Sequence, residues 1–208
     1  MGTRDYKQFS AGEYYHIYNR GNNKNDIFLD SEDFNFFILR LRQNLFPKQS
    51  TKKFRTQPLP DGAFSLINYC LMPNHFHLLV KQNGELPTSK LILRVCTSYS
   101  KYFNKKHQKI GHVFQDQFKQ ALIDDNSYLM WLSAYIHQNP KVAGLVTDLN
   151  KYMWSSYPNF TGYTKDDLCE KEIILSQFNN SSREYQNFVE TSYEVIKERK
   201  DIECLLLD

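Results

Sequence analysis

The chain has 208 residues with 26 basic and 23 acidic side chains, a net charge of +3 that does not by itself mark a polyanion binder. This length suits one domain of ordinary size plus an appended segment, and the four scattered cysteines, Cys70, Cys96, Cys169 and Cys204, form no CxxC pair for a zinc or redox site. No stretch approaches the ~18 apolar residues of a membrane span, no apolar run follows the N-terminal charges, and Tyr6 stands where a myristoylation signal opening on Met1-Gly2 needs Ser or Thr, so reduced thiols, a cytoplasmic location and no membrane partner are expected.

Glu13 to Asn19 (EYYHIYN) is aromatic and β-branched and stops at the turn residues Arg20-Gly21-Asn22-Asn23, which predicts a strand and a loop. Ser31 to Asn44 opens on an N-cap candidate with early acids and sets Phe34, Phe37, Ile38, Leu41 and Leu45 at helical spacing. Phe46 to Gly62 loses periodicity and reads as an exposed, basic connection. Two β-prone runs follow, Ala63 to Leu71 and His75 to Gln82, joined through Met72-Pro73-Asn74 as a hairpin.

Pro87 to Lys106 reads as a helix with Leu91, Val95, Ser98 and Tyr102 on its buried face and a strongly basic end. Phe118 to Asp124 suits a short strand, and Ser127 to Asn139 a helix capped by Asn126 or Ser127 and ended with the help of Pro140. The order strand, helix, strand, strand, helix, strand, helix predicts an α+β fold, a ferredoxin-like antiparallel sheet with helices on one face, over residues 1–150. Residues 151–208 read as a C-terminal extension with an aromatic segment (Tyr152, Trp154, Tyr157, Phe160) and two weaker helical patterns, Glu170 to Phe178 and Ser182 to Arg199.

On a strand, positions i and i+2 share a face, so His75 and His77 can grip one ion while Phe76 turns into the core. On the last helix of the domain Tyr135 and Asn139 are four apart and share a face, which lets a phenol and an amide meet the same site. A free tyrosine, with a pKa of about 10, is a poor nucleophile near neutrality and needs help from a positive neighbour or a proton acceptor. Two imidazoles, one amide oxygen and phosphate oxygens suit Mg2+ or Mn2+ better than zinc.

The ordered segments YYHIYNRGNNKNDIF, YCLMPNHFHLLV, GHVFQDQFK, YLMWLSAYIHQNPKVAGLV and WSSY, spread over roughly residues 13 to 158, together resemble the single-tyrosine HUH transposases, above all the REP-associated tyrosine transposases. It implies a ferredoxin-like domain that cleaves single-stranded or hairpin DNA to a 5′-phosphotyrosine and a free 3′-hydroxyl, then reverses that step to join. The family's metal-binding histidines fall on His75 and His77, its nucleophile on Tyr135 and its polar third ligand on Asn139, with Gln138 as a competitor at poorer spacing. Relatives work either as monomers or as dimers that supply the tyrosine helix to the partner's metal site, so a homodimer is one expected arrangement.

Arg20, Lys101, Lys105, Lys106 and Lys119, extended by Lys52, Lys53 and Arg55, are expected to form a track for the phosphate backbone. His16, His112 and His137 read as hydrogen-bonded or packing histidines without a catalytic role. Tyr128, two turns before Tyr135, reads as packing beneath the site. Trp154, Tyr157 and Phe160 read as packing before base stacking. The competing functions are a retired DNA or RNA hairpin-binding module and a phosphodiesterase in which water attacks.

Overall fold

The computed structural model describes residues 11–49 and 57–199; Lys52, Lys53, Arg55, Cys204 and the Met1-Gly2 opening lie outside the described residues. Four strands, β1 (Tyr14–Arg20), β2 (Phe64–Met72), β3 (His75–Gln82) and β4 (Lys119–Ile123), form an antiparallel sheet in the order β2-β3-β1-β4. With α1 (Ser31–Leu45) between β1 and β2, and α2 (Thr88–Lys106) between β3 and β4, this is the expected ferredoxin-like α+β arrangement. No helix among the described residues is long and apolar enough to cross a membrane.

Strand parity sorts the side chains onto two faces. Phe76 turns to the layer of α1 and α2, where it meets Phe37, which in turn packs against Tyr99. His75 and His77 turn the other way, beneath α3 (Asn126–Val142), the further helix after β4. β2 carries a bulge between Leu66 and Asn68, so that Leu66 pairs with Val80 and Asn68 with Leu79. The extra residue switches parity and brings Asn68 onto the α3 face, where its amide donates to the Ser133 hydroxyl at 2.9 Å.

The caps lie one or two residues earlier than the spacing predicts. Asp30, not Ser31, accepts from the backbone N–H groups of Glu32 and Asp33, and Asp125, not Asn126 or Ser127, accepts from that of Tyr128. The carboxylates serve because they add charge at the positive end of the helix. The buried stripe of α2 runs through Leu91, Ile92, Val95, Tyr99 and Phe103 instead of Ser98 and Tyr102, since the Tyr99 hydroxyl finds the Ile27 carbonyl in the core.

Pro140 lies inside α3 and does not end it. Proline lacks the N–H that would reach the carbonyl four residues back, but the Asn139 side-chain nitrogen donates there, to Ile136 O at 3.3 Å, and to Tyr135 O at 2.8 Å. The Asn139-Pro140 pair is self-compensating.

The segment beyond residue 151 clasps the domain. Residues 152–156 run along β2: Tyr152 donates from its hydroxyl to Leu71 O, Leu71 N to Trp154 O and Ser156 N to Tyr69 O, while Trp154 stacks on Phe34 at 4.5 Å. Short helices follow, among them α4 (Tyr157–Phe160), α5 (Glu172–Leu175) and α6 (Ser182–Thr191). Tyr157, Phe160, Tyr185 and Val189 are fully buried in the core they share with the sheet.

The Tyr185 hydroxyl lies 2.7 Å from both Ser133 Oγ and His137 Nδ1, and His137 Nε2 lies 2.8 Å from Ser156 Oγ, which accepts from the Tyr69 backbone. Removing that hydroxyl in Tyr185→Phe leaves two buried polar groups short of a partner. It is expected to cost about 1–3 kcal/mol, read as a lower urea midpoint at unchanged slope.

Complete burial lowers His137 from 6.5 to about 3, and burial lowers His16 to about 4. Below pH 6.5 the unfolded chain takes up protons that the folded chain refuses, so these histidines leave the fold undisturbed above that value and oppose it progressively as pH falls. The urea midpoint should therefore drop between pH 7.5 and 5, and His137→Gln should make that drop shallower by removing one of the two contributions.

Candidate active site

The loop after β1 and the turn before β3 grip one another. Gly21 N donates to Asn74 O at 2.7 Å, Asn74 Nδ2 to Lys24 O at 3.3 Å, and the N–H groups of Ile27 and Phe28 both reach Pro73 O. Gly21 is required for space and not for its backbone angle, which is ordinary at φ −64. A Cβ there would stand 1.9 Å from Asn25 O. The interlock fixes the turn from which His75 and His77 project.

The His75 and His77 rings meet edge to face with centroids 5.0 Å apart. His75 Nδ1 lies 2.6 Å from Asn74 Oδ1, and His77 Nδ1 lies 2.9 Å from His16 Nε2. Both imidazoles are thus anchored through Nδ1, the arrangement that directs Nε2 toward a cation. The Tyr135 ring stands over this face, 5.7 Å from the His77 centroid and 6.5 Å from that of His16, both edge-on. Tyr135, His75 and His77 therefore come together within one copy of the chain.

Asn139 follows one turn later on α3 and is buried, its amide nitrogen turned to the helix carbonyls of Tyr135 and Ile136 and its oxygen consequently to the other side. Gln138 is directed elsewhere, since its side-chain nitrogen donates to Val189 O of α6 at 2.6 Å. That contact turns the end of the Gln138 side chain toward α6.

Outward from Tyr135 the aromatic rings continue. Trp131 stacks on Tyr135 at 5.4 Å and Tyr128 on Trp131 at 5.9 Å, with Arg199 over Trp131. Tyr128 is 41% exposed, so it extends this surface and does not pack beneath the site.

The basic residues divide between the two sides. Arg20 pairs with His75 and Lys119 with Tyr18, which pairs with His77, so both share the histidine face, and both are exposed. Lys101, Lys105 and Lys106 lie on α2, on the far side of the sheet. Lys106, moreover, is committed to Asp30, Glu32 and Asp33 at 2.6, 3.0 and 3.1 Å. His107 Nε2 meets Asp33 at 3.0 Å, so Asp30, Asp33 and His107 form one cluster whose two carboxylates already hold the Lys106 ammonium.

His16 is the site residue that sequence reasoning set aside. It has the parity of Tyr18 and Arg20, but its nearness to His77 is diagonal across two strands and appears only once β1 is known to lie beside β3.

The model of the family described as "Transposase IS200 like" matches residues 35–139. The chain belongs to that family. A solved REP-associated tyrosine transposase bound to a REP hairpin superposes with a TM-score of 0.57 at 13% identity, over 82% of this chain and 94% of the other. A protein of Deinococcus radiodurans R1 provisionally assigned as a transposase gives a TM-score of 0.41 at 12% identity, over 61% and 91%. No curated protein matches the sequence. Within this transposase the family match spans most of α1, then β2, β3, α2, β4 and α3 as far as Asn139; β1, with His16, precedes it.

Gly21→Ala forces a Cβ against a backbone carbonyl, an overpacking expected to cost about 1–3 kcal/mol. Gly84, with open space around its Cβ position, is the control: thermal unfolding should shift down for Gly21→Ala and stay near wild type for Gly84→Ala.

Proposed function

We propose that this transposase cuts and rejoins single-stranded or hairpin-flanked DNA through a covalent bond between Tyr135 and a 5′-phosphate. The observation that carries this reading is the Tyr135 ring standing over the His77 and His16 rings of its own chain. The REP hairpin held by the structural relative supports a hairpin as the partner.

In the cleavage step the Tyr135 phenol oxygen bonds to phosphorus, the bond to the 3′ oxygen breaks, and that oxygen leaves as a hydroxyl. Joining is the same exchange in reverse, with a 3′-hydroxyl displacing the tyrosine. Because the phenol comes from the same chain as the histidines, one copy holds all the parts of this exchange.

His75 and His77 would hold Mg2+ or Mn2+, with the Asn139 oxygen as third protein ligand. The fit rests on both rings being anchored through Nδ1 and on an amide whose nitrogen is already engaged with the helix. Such an ion supplies charge to neutralise the phosphoryl oxygens and aligns the phosphate for in-line attack. Arg20 and Lys119 flank the histidines on the same face, where their charges favour a phosphate backbone.

Incubating the protein with labelled single-stranded and hairpin oligonucleotides and Mn2+ should give an adduct that survives denaturation. Tyr135→Phe should lower its yield by on the order of 10³-fold or more, and chelator should abolish it. Cleavage to a free 5′-phosphate without an adduct would replace the tyrosine reading by water attack, and tight binding without cleavage would leave a binding module.

The two groups of lysines make separate predictions. Lys119→Ala should weaken single-stranded DNA binding and reduce the slope of log K against log salt by about 0.7, the loss of one phosphate contact. Lys106→Ala should leave that slope unchanged while lowering the melting temperature. Filter binding across a salt series and a thermal melt read both.

A further inference from the structure

We infer that His16 is a positioning residue for the metal centre: its Nε2 accepts the Nδ1–H of His77 and so holds His77 in the tautomer whose Nε2 lone pair serves the cation. This rests on the assignment of His75 and His77 as ligands under Proposed function.

Two neutral imidazoles 2.9 Å apart share one proton, and its side decides what His77 can do. If His16 donated, His77 would carry its own proton on Nε2 and that nitrogen would have no lone pair for an ion. If His77 donates, its Nε2 is unprotonated and ligating. While the bond stands, His16 Nε2 is aimed at a ring nitrogen and serves His77 instead of the ion.

The environment holds the pair in register. His16 is 8% exposed and lies between β3 and β4, opposite Leu79 and Ala121. Its ring stacks against Tyr18 at 4.9 Å and against His77 at 5.2 Å, with Tyr135 edge-on. Asn74 Oδ1 takes the same part for His75 at 2.6 Å, so each histidine of the strand has a neighbour at Nδ1. Ligating histidines commonly donate to a carboxylate or a backbone carbonyl. Here an imidazole takes that place, fixing the ring without adding a negative charge beside a phosphate.

The test uses the full chain with 15N-labelled histidine and Mn2+ as the probe. Long-range 1H–15N spectra of the metal-free protein should show His77 protonated on Nδ1. Mn2+ affinity, followed by the EPR signal of the free ion, should be lost in His77→Ala and fall about tenfold or more in His16→Leu. His16→Gln, whose amide oxygen can accept in the place of Nε2, should restore it to within about threefold of wild type.

A His77 protonated on Nε2 in the metal-free protein overturns the inference. So does a His16→Leu protein that melts cooperatively and binds Mn2+ as wild type does. If His77→Ala leaves Mn2+ binding intact, the ligand assignment itself fails and takes the inference with it, an outcome separate from failure of the His16 variant alone. Should His16→Leu not fold, the wild-type tautomer and the glutamine variant decide.

Discussion

The catalytic reading of this transposase depends on holding α3 against the sheet, because Tyr135 reaches the histidine pair only if that helix keeps its place. Apolar packing supplies most of the attraction but little direction. Direction comes from a buried polar chain that leaves β2 at Asn68, meets α3 at Ser133, passes through the Tyr185 hydroxyl of α6 to His137 of α3 and returns through Ser156 to β2 at Tyr69. Each link is a hydrogen bond away from water, so a slide of α3 would orphan several groups at once. The β2 bulge belongs to the same device, since without it Asn68 would sit on the other face.

Much of this was legible in the sequence where the signal is local. Alternation and the Met72-Pro73-Asn74 turn gave the hairpin, and i, i+2 spacing gave the shared face of His75 and His77. The i, i+4 spacing of Tyr135 and Asn139 survives in α3, with Gln138 turned aside to α6 by a contact that no spacing rule contains. Where neighbouring positions competed, burial chose. Tyr99 prevailed over Ser98 because its hydroxyl had a carbonyl to reach, and Asp30 and Asp125 prevailed as caps because they are carboxylates one step earlier.

Non-local contacts were the part that stayed out of reach. A count of basic residues cannot show that Lys106 is ringed by Asp30, Glu32 and Asp33, nor that α2 lies across the sheet from the histidines. Composition likewise treats Tyr157, Phe160 and Tyr128 alike, although the first two are sealed in the core and the third is 41% exposed on the helix that carries Tyr135. His16 is the sharpest case, a strand residue whose meaning lies in a diagonal neighbour 61 positions away.

The clasp along β2 has a further consequence for how copies of this protein coexist at high concentration. A bare strand edge is a template for pairing with another chain. Here Tyr152, Trp154 and Ser156 occupy the backbone groups of Leu71 and Tyr69, and Glu170 N takes up Leu66 O, so most of that template is consumed from within. The opposite edge, β4, is five residues long and begins with an exposed lysine, a poor starting point for strand addition. This transposase thus keeps its own sheet from serving as a nucleus for aggregation.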